Sequence, residues 1–526
     1  MTGTADAPAK DLLTAHAEAQ GDKLAVVEDL PGGDVRRWSY ADLEANANRL
    51  GRVLIEHGVK PREKFIWCGQ NSPWNVAAIH ASRKIGAVAV PLNYRLTPEE
   101  AAYVVDNSDA VLAFVDAEFA PLLAEIAPET PKVRCVLVYD GDAGAGQIEA
   151  APLLQAADAS ELVTGVAPGA AGTMIYTSGT TGKPKGAVRD SVGDPEQTAR
   201  MIEVYGLRPD DVYMTTGPLY HSGPSGFMGV AQLLGMSVVL QKKFDPEDYL
   251  RLVQTHRVSF TFSAPAPMRM VCNLPAGTLA QYDRSSMRVL IANAAPWSYA
   301  LKMLYLEHFP EESLFEVYGS TELGVNTILR PEYQRSKKGS CGQAAPGVEI
   351  ALFGEEGERV TEPGVEGELY VRSASVFSTY HKAQEKFEED RREGGWQTVG
   401  DIAYFDDEGF FYICDRKKDM IISGGVNIYP AEIEAALEHH DDIVDVAVFG
   451  IPNEEWGEAV HAHVVLREGA ALSKDDVIAY GREHLAGYKV PRSIEFVAEI
   501  PRTGTGKILK RELRKPYWAG HASRVV

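Results

Sequence analysis

A segment rich in glycine and hydroxyl side chains at residues 176–186, YTSGTTGKPKG, carries the clearest chemical signal in the sequence. Its glycines permit tight turns and close backbone approach, its hydroxyls donate hydrogen bonds, and its lysines supply positive charge, as polyphosphate binding requires. The expected phosphate ligands are Thr177, Ser178, Gly179, Thr180, Thr181, Gly182, Lys183 and Lys185. The segment is not a Walker loop, because GxxxxGK[ST] requires serine or threonine where Pro184 stands. It predicts a phosphate cradle of another kind.

Five more segments carry residue types that act on nucleotides or acyl groups. They are PLYHSG at 218–223, YGSTE at 318–322, TVGD at 398–401, DRKKDMIISGG with NIYP at 415–430, and PRTGTGK at 501–507. All six segments, in this order, resemble the adenylate-forming superfamily of acyl-CoA synthetases, luciferases and nonribosomal-peptide adenylation domains, from about residue 15 to about residue 514. The resemblance implies that a carboxylic acid attacks the α-phosphate of ATP, that pyrophosphate leaves, and that the acyl adenylate passes its acyl group to a thiol.

The first half-reaction brings a carboxylate to a polyphosphate, so positive charge, amide donors and Mg²⁺ must screen the repulsion. By the resemblance, Lys507 is the adenylation catalyst and reaches between the acyl carboxylate and the α-phosphate. Thr321 and Glu322 are expected at the α-phosphate, with the Glu322 carboxylate as a hard oxygen ligand for Mg²⁺. His221 is expected between the acyl and nucleotide pockets, although a lone histidine among apolar residues also fits a hydrogen-bonded core.

The resemblance also implies which residues hold ATP and CoA. Tyr318 is expected to stack on adenine, while Asp401 and Arg416 contact the ribose. The other expected nucleotide-site positions are Asn293, Ala294, Ala295 and Gly319. The expected CoA positions are Gly424 and Gly425 along the pantetheine passage, Tyr488 at the adenine, and Arg492, with Lys489 nearby, at the phosphates.

The second half-reaction needs another arrangement, because a thiol must approach the same carbonyl after pyrophosphate has left. Members of the superfamily rotate a small C-terminal domain about the block that reads DRKKD here, which places Lys418 at the hinge. We therefore divide the sequence at this charged break into a large adenylation domain, 1–417, and a small mobile domain, 418–526.

The acid is expected to be hydrophobic. Residues 212–241 contain no charged side chain that could pair with the ammonium of an amino acid. Gly319 stands where acetate-specific relatives carry tryptophan, so we expect an open acyl tunnel; Asn293 replaces a usual glycine and is expected to narrow the pocket or recognise a substrate oxygen. Candidate lining residues are Phe227, Met228, Val230, Phe262, Met268, Met270, Val325 and Ile328. They favour medium- or long-chain fatty acids or bulky hydrophobic acids, although core packing explains any one of them equally well.

The elements that must position these residues follow from hydrophobic periodicity. From Lys64 onward, short apolar runs alternate with helical patterns, which is typical of a parallel sheet covered by helices. After about Gly347, runs such as GELYVRS and GFFYICDR read as antiparallel strands. We predict an α/β fold with a large N-terminal domain, built of two α/β layered subdomains plus a β-rich subdomain, and a small mobile α+β C-terminal domain.

Composition restricts the class of protein further. The 526 residues include 52 Lys and Arg against 74 Asp and Glu, a net charge of −22, which disfavours general nucleic-acid binding. No stretch reads as an integral membrane span. The five scattered cysteines form neither a zinc pattern nor a disulfide framework, and no signal-peptide pattern is present, so a cytoplasmic location is expected. A homo-oligomer is compatible with the sequence.

Three other interpretations share part of the pattern. An acyl-AMP ligase would deliver the acyl group to a carrier-protein thiol, and a luciferase-like oxygenase would use the adenylate with O₂. A non-catalytic nucleotide or acyl-CoA sensor would bind without turnover. A sensor is expected to lack Lys507 or Glu322, and both are present.

Overall fold

The computed structural model describes residues 10–167, 172–177, 184–190, 194–354, 356–416, 419–423, 426–453, 456–502 and 507–519, except for the side chains of Asp415, Arg416 and Asn427. Within those ranges every helix is too short or too polar to cross a lipid bilayer.

The β-strands, in chain order, are β1 (Leu24–Asp29), β2 (Val35–Ser39), β3 (Lys64–Cys68), β4 (Val88–Leu92), β5 (Ala110–Asp116), β6 (Cys135–Tyr139), β7 (Ile148–Glu149), β8 (Thr173–Thr177), β9 (Lys185–Arg189), β10 (Val212–Thr215), β11 (Ser237–Leu240), β12 (Phe260–Ser263), β13 (Val289–Ala292), β14 (Leu314–Ser320), β15 (Gly324–Leu329), β16 (Gln343–Ala344), β17 (Glu349–Phe353), β18 (Arg359–Val360), β19 (Gly367–Arg372), β20 (Thr379–Tyr380), β21 (Arg391–Arg392), β22 (Trp396–Gln397), β23 (Asp401–Phe405), β24 (Phe411–Arg416), β25 (Ile421–Ser423), β26 (Val426–Ile428), β27 (Ile443–Asn453), β28 (Gly457–Leu466) and β29 (Ser493–Phe496).

The α-helices are α1 (Leu12–Gln20), α2 (Tyr40–Glu56), α3 (Pro73–Ile85), α4 (Pro98–Asn107), α5 (Ala120–Glu125), α6 (Ala150–Ala156), α7 (Pro195–Tyr205), α8 (Ser222–Leu233), α9 (Pro246–His256), α10 (Pro265–Cys272), α11 (Ala276–Leu279), α12 (Tyr299–His308), α13 (Gln384–Glu389), α14 (Pro430–Leu437), α15 (Lys474–His484) and α16 (Lys510–Trp518).

The first α/β subdomain is a five-stranded parallel sheet in the order β4-β3-β5-β6-β7. Successive side chains of β3 enter cores on opposite faces: Ile66 packs against α4, while Phe65 and Trp67 pack in the core that contains α2 and α3. This alternation is the period of two that a strand buried on both faces requires.

The second subdomain is a nine-stranded sheet in the order β16-β15-β14-β13-β12-β10-β11-β1-β2. Strands β10, β12, β13 and β14 run parallel, so the segments that leave their carboxyl ends meet at one edge. In open parallel sheets ligands bind at that edge. PLYHSG follows β10 and the Asn293 segment follows β13, while Tyr318 and Gly319 lie near the end of β14 and Thr321 directly follows it.

The third subdomain is rich in antiparallel strands, as the sequence predicts. Strands β17, β18, β19 and β21 to β24 form one seven-stranded sheet, and β8, β9 and β20 form a three-stranded sheet. The first of these sheets places Asp401 at the start of β23, and the second carries the residues on either side of the phosphate cradle, Thr177 and Lys185.

The C-terminal residues form a separate sheet in the order β26-β25-β28-β27, with β29 parallel to β28. One face of this sheet buries Val460, Ala462 and Val464 with α14 and α15, and the other face packs against α16 through Phe449 and Leu513. The predicted fold class is confirmed. The last strand of the β-rich sheet ends at Arg416 and the new sheet begins at Ile421, while the domain boundary at 417/418 stays a prediction.

Candidate active site

A cleft of about 3420 Å³ lies at the carboxyl edge of the nine-stranded sheet, bordered by the β-rich sheet and the C-terminal sheet. Its volume exceeds the roughly 300–1,000 Å³ of a single small-molecule pocket, so it has space for several ligand groups. The residues predicted from the sequence that line it are Thr177, Lys185, His221, Asn293, Ala294, Ala295, Tyr318, Gly319, Thr321, Glu322, Asp401 and Lys507. Residues from both ends of the chain therefore face one cleft.

Tyr318 and Asp401, predicted to hold adenine and ribose, are joined directly. The Tyr318 hydroxyl donates a hydrogen bond to Asp401 Oδ2 at 2.6 Å. Asp401 is buried, and it comes from β23, whereas Tyr318 comes from β14. The bond therefore connects two sheets at the site, and it fixes the direction of the phenol ring.

Thr321 and Glu322 are held by residues that the sequence analysis missed. Ser222 Oγ, at the start of α8, lies 2.7 Å from Thr321 Oγ1. The Tyr380 hydroxyl donates to Glu322 Oε1 at 3.1 Å, and Lys185 Nζ lies 5.5 Å from the centre of the Tyr380 ring. Glu322 offers the cleft a hard anionic oxygen, so its donor chemistry fits Mg²⁺.

Arg189 was also missed, although it lies at the end of the strand that follows the phosphate cradle. Its guanidinium donates to the Thr321 carbonyl oxygen at 2.7 Å and to the Ser375 carbonyl oxygen. Burial lowers the pKa of Arg189, and the negative charge of Glu322 opposes that effect. A partly buried cation thus supports the backbone at Thr321, which is predicted to contact the α-phosphate. No pattern in the sequence indicates this role, because a single arginine within a strand belongs to no recognisable motif.

His221 and Lys507 approach each other from distant parts of the chain. Burial, together with the nearby Lys507 ammonium and Arg95 guanidinium, lowers the pKa of His221 to about 3. His221 is therefore neutral at physiological pH. Its Nε2 atom is buried and has no hydrogen-bond partner among the described residues, which suits a ligand oxygen in the cleft.

Hydrogen bonds join the C-terminal residues to the large domain in this arrangement. The Tyr429 hydroxyl donates to Glu366 Oε2 at 2.6 Å, and the Arg269 guanidinium donates to the Val444 carbonyl oxygen at 2.8 Å. Neither pair is visible as a pattern in sequence, because each joins residues that are more than sixty positions apart.

The segment after β13 is shaped by its backbone. The Asn293 amide donates to the Val317 carbonyl oxygen, so this donor joins two strand ends. Ala294 has φ of 71°, a left-handed conformation that is rare for alanine. A Cβ at Gly319 would lie 2.2 Å from the Gly324 carbonyl oxygen, beside the irregular register of β14 and β15. The close approach of β14 and β15 therefore requires glycine at position 319. This packing requirement is a second reason for the glycine, besides the open acyl tunnel that the sequence predicts.

The part of the cleft predicted to hold the acyl group is bounded by one side of α8. A Cβ at Gly226 or Gly229 would meet no atom within 4 Å, so these two glycines leave open space. Five of the predicted lining residues line the cleft: Phe227, Val230, Phe262, Met270 and Val325. The other three are buried in the core: Met228, Met268 and Ile328.

The residues predicted to bind the CoA nucleotide lie on the C-terminal domain. Tyr488 is half exposed, and the guanidinium carbon of Arg492 lies 3.4 Å from the centre of the Trp456 ring. Lys489 forms an ion pair with Glu432 at 2.6 Å and lines the cleft. Tyr488 and Arg492 are not among the described residues that line the cleft. Trp456 is a further aromatic surface that the sequence analysis missed.

Several predicted residues lie outside the described residues. They are Ser178, Gly179, Thr180, Thr181, Gly182 and Lys183 of the phosphate cradle, Lys418 at the hinge, and Gly424 and Gly425 of the pantetheine passage. For Arg416 the backbone is described, at the end of β24 opposite Asp401, and the side chain is not. Their roles stay predictions.

Known proteins share this architecture along nearly the whole chain. The family of AMP-binding enzymes matches residues 13–381, and the C-terminal domain of AMP-binding enzymes matches residues 432–507. A feruloyl-CoA synthase from Amycolatopsis sp is 34% identical over 91% of this chain and 94% of its own length. The long-chain-fatty-acid–CoA ligase FadD13 of Mycobacterium tuberculosis is 32% identical over 93% of this chain and 95% of its own.

A solved structure of the anthranilate CoA ligase AuaEII in complex with anthranoyl-AMP superposes with a TM-score of 0.87 at 25% identity, over 96% of each chain. The superfamily and enzyme class predicted from the sequence are thereby confirmed. The chain belongs to the AMP-binding enzyme family, within the adenylate-forming superfamily and among its AMP-forming acid:CoA ligases.

Proposed function

We propose that the protein activates a hydrophobic carboxylic acid with ATP, as the acyl adenylate, and transfers the acyl group to CoA. The observation that carries this proposal is that Lys507 and His221 line the same cleft as Tyr318, Asp401 and Thr321. The Lys507 ammonium is near enough to lower the pKa of His221, and an ammonium and a neutral imidazole in one cleft with the polar residues after β14 suit a carboxylate that attacks a phosphate.

In the first step a carboxylate oxygen of the acid forms a bond to the α-phosphorus of ATP, and the bond to the β-phosphate oxygen breaks, releasing pyrophosphate. Lys507 supports the developing negative charge, and the hydroxyl of Thr321, held by Ser222, is positioned to donate to the α-phosphate. Glu322 would hold Mg²⁺, which supplies positive charge to neutralise the phosphates. Neutral His221 orients the carboxylate without adding charge.

In the second step the CoA sulfur forms a bond to the acyl carbonyl carbon, and AMP leaves. Lys507 lines the cleft in the arrangement described above, so we infer a rotation of residues 418–526 that removes it before the thiol enters. Lys418→Pro, with its fixed φ, is expected to impair thioester formation far more than adenylation. Equal loss in both half-reactions would contradict the hinge.

The proposed acid is a medium- or long-chain fatty acid or a bulky hydrophobic acid. Gly226 and Gly229 leave space on α8, and the neighbouring lining side chains Phe227, Val230 and Val325 are apolar. The names of the relatives include both an aromatic and a long-chain acid, which supports a hydrophobic substrate.

All five cysteines are free thiols, which supports the proposed cytoplasmic location.

The test is a pyrophosphate-release screen over carboxylic acids of graded length and ring content, with and without CoA. We expect release with hydrophobic acids, little with acetate, and AMP turnover that requires free CoA. If turnover required a phosphopantetheinylated carrier protein and did not occur with free CoA, the acyl acceptor would be the carrier protein. Uptake of O₂ would indicate an oxygenase. Absence of acid-dependent pyrophosphate release would overturn the proposal.

A further inference from the structure

A cluster of two histidines and one glutamate lies on the C-terminal sheet, on the face that α16 covers. His461 and His463 are two residues apart on β28, so both side chains point to the same face. Glu495 is the register partner of His463 on the parallel strand β29. The pairing of the strands therefore brings two imidazoles and one carboxylate together, away from the residues predicted to act on ATP.

The three groups have the spacing of metal ligands. One ligand atom from each of His461, His463 and Glu495 lies within 4.8 Å of the others. His463 Nε2 is 3.6 Å from Glu495 Oε2, near the roughly 3.3 Å that separates ligands of a tetrahedral Zn²⁺ with bonds of about 2.0 Å. Two nitrogens and one carboxylate oxygen, with an open fourth position, are a donor set that Zn²⁺ accepts.

A neighbouring side chain orients the His461 ring for metal binding. Its Nδ1 atom lies 2.6 Å from Ser493 Oγ, which leaves Nε2 directed at the cluster. Such a partner on the far ring nitrogen orients a metal-binding histidine. Glu495 is about half exposed and offers a path from solvent.

The Tyr517 hydroxyl of α16 lies among the three groups. It is 3.1 Å from His461 Nε2 and 3.2 Å from His463 Nε2, and it donates to Glu495 Oε2 at 2.7 Å. A phenol hydroxyl is a weak metal ligand, and this one contacts all three groups that the cation would bind.

We propose that His461, His463 and Glu495 form a site for a divalent transition cation of the Zn²⁺ class, which the Tyr517 hydroxyl fills when no metal is bound. The cation and the hydroxyl compete for the same three groups. The site is separate from the Mg²⁺ position proposed at Glu322, and it does not depend on the proposed activity.

The experiment measures Zn²⁺ binding to the full chain, without an affinity tag and after treatment with chelator, by equilibrium dialysis with saturating Mg²⁺. We expect one tightly bound equivalent in the wild type. Glu495→Gln changes an exposed side chain and should weaken binding at least about 10-fold, the lower end of what loss of a partner of a metal ligand costs. The matched control Glu499→Gln, an exposed glutamate four residues away, should bind as the wild type does.

Tyr517→Phe tests the competition, because it removes only the hydroxyl. Tighter Zn²⁺ binding than in the wild type is expected. Equal or weaker binding in this variant, no stoichiometric Zn²⁺ in the wild type, or unchanged binding in Glu495→Gln would each overturn the proposal. Circular dichroism of each variant separates loss of the site from loss of folding.

Discussion

The proposed nucleotide end and the proposed acyl end of the cleft differ in construction. At the proposed nucleotide end, which we define by Tyr318, Thr321, Glu322 and Asp401, side chains are joined by hydrogen bonds, and Arg189 donates to the Thr321 carbonyl oxygen. At the acyl end, defined by Gly226, Phe227, Gly229 and Val230 of α8, the notable feature is space next to two glycines. Fixed donors suit chemistry that is the same for every acid, whereas open volume suits selection among acids.

The largest effect is expected from the ammonium that serves the nucleotide end. Lys507→Ala should lower pyrophosphate release by roughly 10²- to 10³-fold, because one preorganised charge donor is lost at the reacting phosphate. Binding of ATP, measured by calorimetry, should change little. The matched control is Lys243→Ala, which removes an exposed lysine outside the cleft lining. Wild-type release from Lys507→Ala would refute the role.

Loss of the charge on Asp401 should have the next largest effect. Asp401→Asn replaces a hydrogen bond to a charged acceptor, worth about 1.5–3 kcal/mol, by a neutral one, so kcat/KM for ATP should fall by about 10- to 100-fold. A double-mutant cycle with Tyr318→Phe should give a coupling energy of at least about 0.5 kcal/mol, because the two side chains are in contact. Additive effects would contradict the coupling of the two sheets at the site.

A change at the acyl end should alter selectivity and leave the nucleotide end intact. Gly226→Leu adds a side chain to open space, so kcat/KM for a long or ring-containing acid should fall by at least about 10-fold relative to a short one. Gly226→Ala provides the graded control with a smaller change. KM for ATP should stay constant in both variants. An equal decrease for short and long acids would show that α8 does not limit acyl size.

The smallest expected effect is a change in the pKa of His221. Lys507→Ala should raise this pKa above about 3, because one of its causes is removed while burial remains. Ring-carbon NMR of the histidines would measure it, with Lys243→Ala as control; an unchanged pKa would place the ammonium away from His221. Because an unfolded histidine titrates near 6.5, His221 also lowers the free energy of unfolding as pH falls from about 6.5 toward 3.

The local parts of the fold could be predicted from the sequence because their causes are local. Thr97 and Glu100, three residues apart, form the capping box at the start of α4, and the alternating runs after Lys64 form a parallel sheet. Phe227 and Val230 line the cleft as expected, whereas Met268 and Ile328 are core residues. Hydrophobicity alone cannot separate these two groups, because a core and an acyl cavity select the same side chains.

The sequence by itself determined the family and the enzyme class, and with them the kind of chemistry, because an ordered set of short motifs, among them YTSGTTGKPKG, YGSTE and PRTGTGK, carries the resemblance. Only the tertiary structure decided which residues support that chemistry. Arg189 beneath Thr321, Ser222 beside it, and the hydrogen bond between Tyr318 and Asp401 join positions that are 83 to 132 residues apart. Contacts across such separations depend on how the sheets pack and how their strands pair, and a short sequence motif does not specify that packing.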